Sequence, residues 1–191
     1  MVIRPPSIPR RRAQRGTSLL EVMVTLLIVS FGLFGLAALH TRLQTSEMEG
    51  YQRSQALALL NDMASRITIN RRAAASYVTT APIGGSGACP AATGSRQQID
   101  AAEWCTALQG AAETAQDGSK TGTVIGGRGC VEDLGNSEYL VTVAWQGLVP
   151  IAAPSAGVAC GKNQYDDAKT NCKNDLCRRT VTTLVRIGKL S

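Results

Sequence analysis

Residues 19–39 read LLEVMVTLLIVSFGLFGLAAL. Sixteen of these 21 positions are apolar, and Glu21 is the only charge. A run of that length spans a bilayer as a helix. On its N-terminal side lie Arg4, Arg10, Arg11, Arg12 and Arg15, with no acid among the first sixteen residues. The positive-inside rule then predicts a cytoplasmic N-terminus and an exported C-terminal body. A secretory signal is cut behind its apolar stretch, at a small-x-small site. Here the run passes into a helical pattern without a turn residue, which favours an anchor.

The same partition accounts for the charge. The chain of 191 residues carries 20 Lys and Arg against 14 Asp and Glu, a net +6 with pI near 9.2. Five of the basic residues sit in the leader, so from Thr17 onward the count is 15 to 14, or +1. A nearly neutral body gives no reason to expect a nucleic-acid partner. The length suggests one domain, or one with an appendage. A hydrophobic content of 44% is too high for a disordered tail. Alanine supplies 25 residues and aromatics only eight, so the core is built from small side chains. The single histidine, His40, leaves no Ser-His or Cys-His dyad and no multi-histidine metal site. The expectation is a protein that is not an enzyme, with no catalytic residues, cofactor, metal or small-molecule substrate.

Glu21 is the anomaly. A carboxylate at the centre of a membrane helix costs about 2.5–3.5 kcal/mol on insertion scales, less near its edge, and such residues usually have a partner. The string Arg15-Gly16-Thr17-Ser18-Leu19-Leu20-Glu21-Val22 resembles the type III signal of type IV pilins and their relatives. The resemblance implies that a prepilin peptidase cuts between Gly16 and Thr17, and that the new amine of Thr17 is N-methylated. It also implies that Glu21, then the fifth residue of the mature chain, guides docking into a growing bundle of subunits. Each residue suits the part: Gly16 lets an extended backbone enter a protease cleft closely. Glu21 paired with a neighbour's terminal amine would avoid an unpaired charge among apolar helices. The chain departs from the family twice. Thr17 stands where phenylalanine or another apolar residue is usual, and Ala38 where major pilins often carry proline.

No proline occurs between Thr17 and Pro82, and Leu57, Leu60, Ala64 and Ile67 recur at three- and four-residue intervals. The pattern predicts a helix from Thr17 to about Ala75, roughly 88 Å at 1.5 Å per residue, with Gly32 and Gly35 its weak points. The strings SFGLFGLAALHTRLQ and QALALLNDMASRITINRRAAASY look like PilV-type minor pilins; the likeness covers roughly residues 15–77, the remainder only in outline. Beyond Pro82, Gly84 to Gly87 and Gly126 to Gly129 read as loops, and a short helix is expected over 100–108. Strands are expected at 121–125, at 139–145 and at 179–187. The second puts Tyr139, Val141, Val143 and Trp145 on one face; the third puts Val181, Val185 and Ile187 on one face and Thr180, Thr182 and Arg186 on the other. The fold class is α+β. The resemblance makes it a pilin fold, a long N-terminal helix packed on a small antiparallel sheet with disulfide-braced loops. Its parts would be a cleaved leader (1–16), a transmembrane and assembly half-helix (17–40), a half-helix packed on the headpiece (41–77) and an exported headpiece (78–191).

All six cysteines, Cys89, Cys105, Cys130, Cys160, Cys172 and Cys177, lie on the exported side. That fits disulfides, for which six cysteines allow fifteen connectivities. Cys89–Cys105 is the preferred first pair; the other four remain open. A zinc reading of the last three is disfavoured by an oxidising space. Asp166, Asp167, Asn171 and Asp175 could hold calcium, but their spacing matches no EF-hand loop, so a solvated loop is preferred. Arg71-Arg72 and Arg178-Arg179 lack the flanking aromatics of a DNA-binding patch. His40 is expected at the outer membrane interface, and Asp62 and Arg66 as an ordinary helix-face pair.

The resemblance implies a structural subunit of a type IV pilus that helps to initiate or modify assembly, and so serves surface motility and adhesion. Its partners would be the prepilin peptidase, other minor pilins, the major pilin, the assembly platform and the inner membrane, before it reaches the pilus. A pseudopilin of a type II secretion system shares the N-terminal signal and is the nearest alternative. An exported DNA-uptake pilin and a membrane-tethered periplasmic enzyme are more distant ones.

Overall fold

The computed structural model describes residues 18–110 and 124–188. The chain divides into two compact units, Met1–Gln44 and Thr45–Ser191, and helix α1 (Leu19–Ile69) contributes to each. In the first unit the described residues are all helical after Ser18, and every one from 18 to 44 is exposed.

The second unit holds the rest of α1, a 3-10 segment (Arg71–Tyr77), β1 (Ile83–Gly84), α2 (Arg96–Leu108), β2 (Arg128–Gly135), β3 (Glu138–Gln146) and β4 (Arg178–Arg186). The four strands form an antiparallel sheet in the order β1-β2-β3-β4. Asn136 and Ser137, both at positive φ (53° and 63°), make the two-residue turn between β2 and β3, whose handedness matches the twist of a hairpin. The sheet separates two packed layers. Residues of one parity, Val131, Tyr139, Val141, Val143, Trp145, Val181 and Val185, face the helices and join Leu60, Met63, Ile67, Trp104 and Leu108 in the main core. The opposite face carries Cys130 and Ala144 against Cys160 and Tyr165 of the segment that leads from β3 to β4. This is an α+β arrangement.

Several expectations are corrected. Helix α1 ends at Ile69, not near Ala75. Asn70 leaves helical geometry (φ −95°, ψ 40°), and its side-chain amide donates to the Tyr77 hydroxyl at 3.1 Å. The tighter 3-10 turns that follow bury Ala74 and Tyr77, which a continuing α-helix would carry away from the core. The buried stripe of α1 is Gln52, Ala56, Leu60, Met63 and Ile67, so Leu57 stays exposed and Ala64 is only half-buried. Helix α2 begins at Arg96, before the expected residue 100. Ser95 accepts the Gln98 N–H at 3.3 Å while the Gln98 side chain accepts the Ser95 N–H at 3.0 Å, a reciprocal cap that starts the helix there.

The predicted strand at 121–125 is not formed by Val124 and Ile125, which are turn residues; 121–123 lie outside the described residues. Ile125 instead gives its carbonyl to Gln146 N–H at 2.9 Å. The glycine-rich stretches are not wholly loops. Gly84 is in β1, and Arg128 and Gly129 open β2, a strand the hydropathy pattern does not reveal. A Cβ on Gly129 would land inside the Trp104 ring, so this position is a glycine because α2 lies directly on it. The strands expected at 139–145 and 179–187 are found at Glu138–Gln146 and Arg178–Arg186, with the expected faces toward the core.

Candidate functional site

The first candidate is the N-terminal end of α1. Ser18 lies just before the helix, and its hydroxyl accepts the Glu21 N–H at 3.2 Å, satisfying one of the orphan amides of the first turn. The spacing Ser18-Leu19-Leu20-Glu21 thus has a local reason: serine at the cap, and a carboxylate in the first turn where the helix dipole favours negative charge. The Glu21 carboxylate makes no ion pair among the described residues and is exposed. Gly16 and Thr17, the expected cleavage and methylation positions, lie outside the described residues.

The exposed surface that follows is hydrocarbon in character. An 18-residue window of α1 reaches a mean hydropathy of 2.5, and none of it is buried, so the helix is long and apolar enough to cross a membrane. Its few hydroxyls are turned inward to the helix. Thr25 donates to the Val22 carbonyl at 2.9 Å, Ser30 to Leu26 at 2.7 Å and Thr41 to Ala37 at 3.1 Å. Such back-bonding satisfies the polar groups without water. Past them, His40 meets the Gln44 side chain at 3.1 Å on the exposed surface.

In the second unit the titratable groups converge on Asp100, buried at 1% exposure. Arg66 donates to it at 2.8 Å, Arg96 pairs with it at 2.9 Å, and the Tyr77 hydroxyl donates at 2.5 Å. Arg66 also reaches Asp62 at 3.0 Å and Glu103 at 2.5 Å. The pair Asp62–Arg66 is therefore one edge of a five-charge network, not an isolated helix-face pair. Burial works to raise the Asp100 pKa, but the Tyr77 hydroxyl and the two guanidiniums outweigh it and hold it below the usual carboxylate range. Burial, and then the hydrogen bond to Asp100, push the Tyr77 hydroxyl up to about 12. Burial opposes the charge on Arg66, yet its three carboxylate partners raise its pKa above the ordinary arginine value. Every member is committed to another; the network locks α1 to α2.

Arg178 and Arg179, which open β4, are also used by the fold. Arg178, 2% exposed, pairs with Asp175 at 3.1 Å and donates to the Val158 and Cys160 carbonyls. Arg179 pairs with Glu49 of α1 at 3.2 Å and donates to the Leu176 and Val149 carbonyls. These guanidiniums therefore do not form a free basic patch, whereas Arg71 and Arg72 are exposed. Asp166 accepts the amides of Asn174 and Asp175, Asp167 that of Lys169, and Asp175 that of Asn163. The calcium candidates are turn-forming caps, and no cluster of metal-ligating side chains occurs among the described residues.

The six cysteines form three disulfides, Cys89–Cys105, Cys130–Cys160 and Cys172–Cys177. The first ties the approach to α2 to the helix itself. The second fixes the long segment to the back of β2, and the third closes a short loop before β4. No sulfur among them is free to hold zinc. Beyond the Asp62–Arg66 pair, the Asp100 network and the Glu49–Arg179 tie have no counterpart in the sequence reading. Single acids and arginines spaced 34 to 130 residues apart leave no local pattern. Compared with family models, curated proteins and solved structures, the chain matches none of them.

Proposed function

We propose that this chain is a minor pilin of the PilV type: a structural subunit held in the inner membrane by α1 and then incorporated into a type IV pilus, whose assembly it helps to initiate or modify. The observation that carries the reading is the N-terminal arrangement. A basic leader ends at Gly16, and five residues on a single carboxylate, Glu21, stands in the first turn of a helix whose next 18 residues, 22–39, are exposed and largely apolar. A water-soluble domain has no use for such a surface, whereas a helix that moves from lipid into a bundle of like helices requires it. The exported position also gives the three disulfides an oxidising space.

In this reading the prepilin peptidase removes 1–16, Thr17 becomes the methylated N-terminus, and Glu21 pairs with a terminal amine in the assembled bundle. The headpiece contacts other minor pilins. The test is mass analysis of the N-terminus of the mature protein, alongside a Gly16→Trp variant. The reading requires a chain beginning at methylated Thr17 and accumulation of the uncut form in the variant. A mature form that still appears in the Gly16→Trp cells, with normal pili, overturns it.

A further inference from the structure

The two edges of the sheet are finished differently. On the β2 side, β1 pairs with Arg128 and Gly129, and Thr79 then continues the cover, its N–H donating to Val131 C=O at 2.9 Å and its hydroxyl accepting Val131 N–H at 3.0 Å. A register shift between Asp133 and Gly135 interrupts what remains. The β4 side has none of these devices. It is nine residues long, carries no proline, lysine or bulge, and is the last strand of the sheet. The bonds Gly147 N–H to Cys177 C=O and Ile187 N–H to Ser137 C=O bracket its ladder with β3 and fix its parity. Residues 179, 181, 183 and 185 turn their amides and carbonyls to β3, so those of Thr180, Thr182, Leu184 and Arg186 point outward. Among the described residues nothing pairs with them. Proteins rarely leave so long and regular an edge open, because it is a template for another strand.

Beside this edge, α1 and β4 form two open, shallow grooves. One, about 450 Å3, lies at Arg179 and Thr180 and is floored by Gly50, Trp145 and Ile151. The other, about 590 Å3, lies along residues 183–186 opposite Ala64, Ser65 and Thr68. Small residues on the helix side leave room for large side chains from elsewhere. The grooves are separated by some four residues of strand, about 13 Å at 3.3 Å per residue, and residues four apart share a face. Exposed arginines mark both: Arg53 in the first, without an ion pair among the described residues, and Arg186 in the second, held only by the surface pair to Glu138.

We propose that the β4 edge receives an extended segment of a different polypeptide, added as a fifth strand. It would place two large apolar side chains, four residues apart, into the two grooves and carry carboxylates at its ends opposite Arg53 and Arg186. Main-chain bonds to Thr180, Thr182, Leu184 and Arg186 supply affinity, and the grooves supply specificity. A second copy pairing its own β4 edge antiparallel to this one does not fit. Two β4 edges pair antiparallel about an axis normal to the sheet, which runs the two α1 helices in opposite directions. Chains entering one membrane by the same end cannot adopt that arrangement. Only this exclusion rests on the pilin reading.

The test uses the full chain in its own cells, with a photo-cross-linking residue at Leu184 and, as control, at the exposed Leu134 near the end of β2. The cross-linked peptide is sequenced, synthesised and titrated against the purified full chain in detergent. The expected result is one segment from another protein, extended and apolar at two positions four apart, cross-linked from Leu184 and not from Leu134. Its affinity should fall at least tenfold in Thr182→Pro, which deletes an outward amide, and in Ser65→Arg, which fills a groove from an exposed site. Both variants should keep all three disulfides. A cross-link to a second copy, to a helical segment, or to nothing overturns the proposal, as does undiminished binding by both variants. The N-terminal mass of the same protein reports the pilin reading separately, so a correctly processed chain with a bare β4 edge sinks the edge proposal alone.

Discussion

Asp100 is the residue on which the headpiece turns. It is buried, ionised and surrounded by two guanidiniums and one phenol, and removing a partner from such a group is costly because the charge that stays behind is uncompensated. Arg66→Met, which removes one partner of Asp100 together with the pairs to Asp62 and Glu103, should destabilise the headpiece by about 3–5 kcal/mol, read as a loss of denaturant resistance of the full chain in detergent. Tyr77→Phe removes one donor and should cost about 1–3 kcal/mol. The pH dependence has two limbs of opposite sign. Asp100 has a folded-state pKa below its unfolded value, so its contribution is complete above about pH 4 and is lost as pH falls through the folded value. Tyr77 is raised from 10.0 to about 12, so its contribution is complete below pH 10 and is lost as pH rises toward 12. In Tyr77→Phe the alkaline limb between those values should flatten while the acid limb remains; an unchanged alkaline limb would mean that another group governs it. Only the four-residue spacings Asp62–Arg66 and Arg96–Asp100 are visible in the chain; that both pairs meet at a buried Asp100 is not.

At the scale of elements, the close packing of α2 on β2 is the most sensitive joint. Gly129→Ala should cost about 1–3 kcal/mol through overpacking against Trp104, measurable as a lowered melting temperature with the Cys89–Cys105 bond intact. The same contact explains what the sequence conceals. Helix α1 is legible over most of its length because no proline or turn residue interrupts it. Strands β3 and β4 are legible because Tyr139, Val141, Val143 and Trp145, and likewise Val181 and Val185, alternate with the other face. Strand β2 is not, since Gly127 and Gly129 are chosen for the approach of a helix and resemble loop residues. The stop of α1 at Ile69 is hidden for a related reason. Nothing local forbids another turn of α-helix through Ala73, Ala74 and Ala75; the burial of Tyr77 decides it. At the other end, Glu21 is conspicuous as the only charge in an apolar run, whatever fold lies beyond it. The segment before β4 is a further element held from a distance. Glu49 accepts the Leu148 N–H at 2.8 Å and pairs with Arg179. Glu49→Ala should therefore expose residues 148–154 to limited proteolysis while the sheet remains protected; continued resistance would show that the Cys130–Cys160 bond alone secures the segment.

For the whole molecule, the pattern of disulfides bears on the order in which the chain is made. Each bond joins neighbours along the sequence, the first cysteine to the second, the third to the fourth and the fifth to the sixth. Under the proposed function, a chain anchored by α1 and threaded outward behind it would deliver its cysteines to an oxidant in that order. Joining each new thiol to the one still waiting produces the native set, one connectivity of fifteen. No shuffling step is then needed, and maturation should proceed at its normal rate in cells that lack a disulfide isomerase but retain the oxidase. Glu49 must wait the longest, since its partner Arg179 emerges almost last. In the exported-subunit reading, the bonds are then written as the chain arrives, and the Glu49–Arg179 tie closes after all three of them.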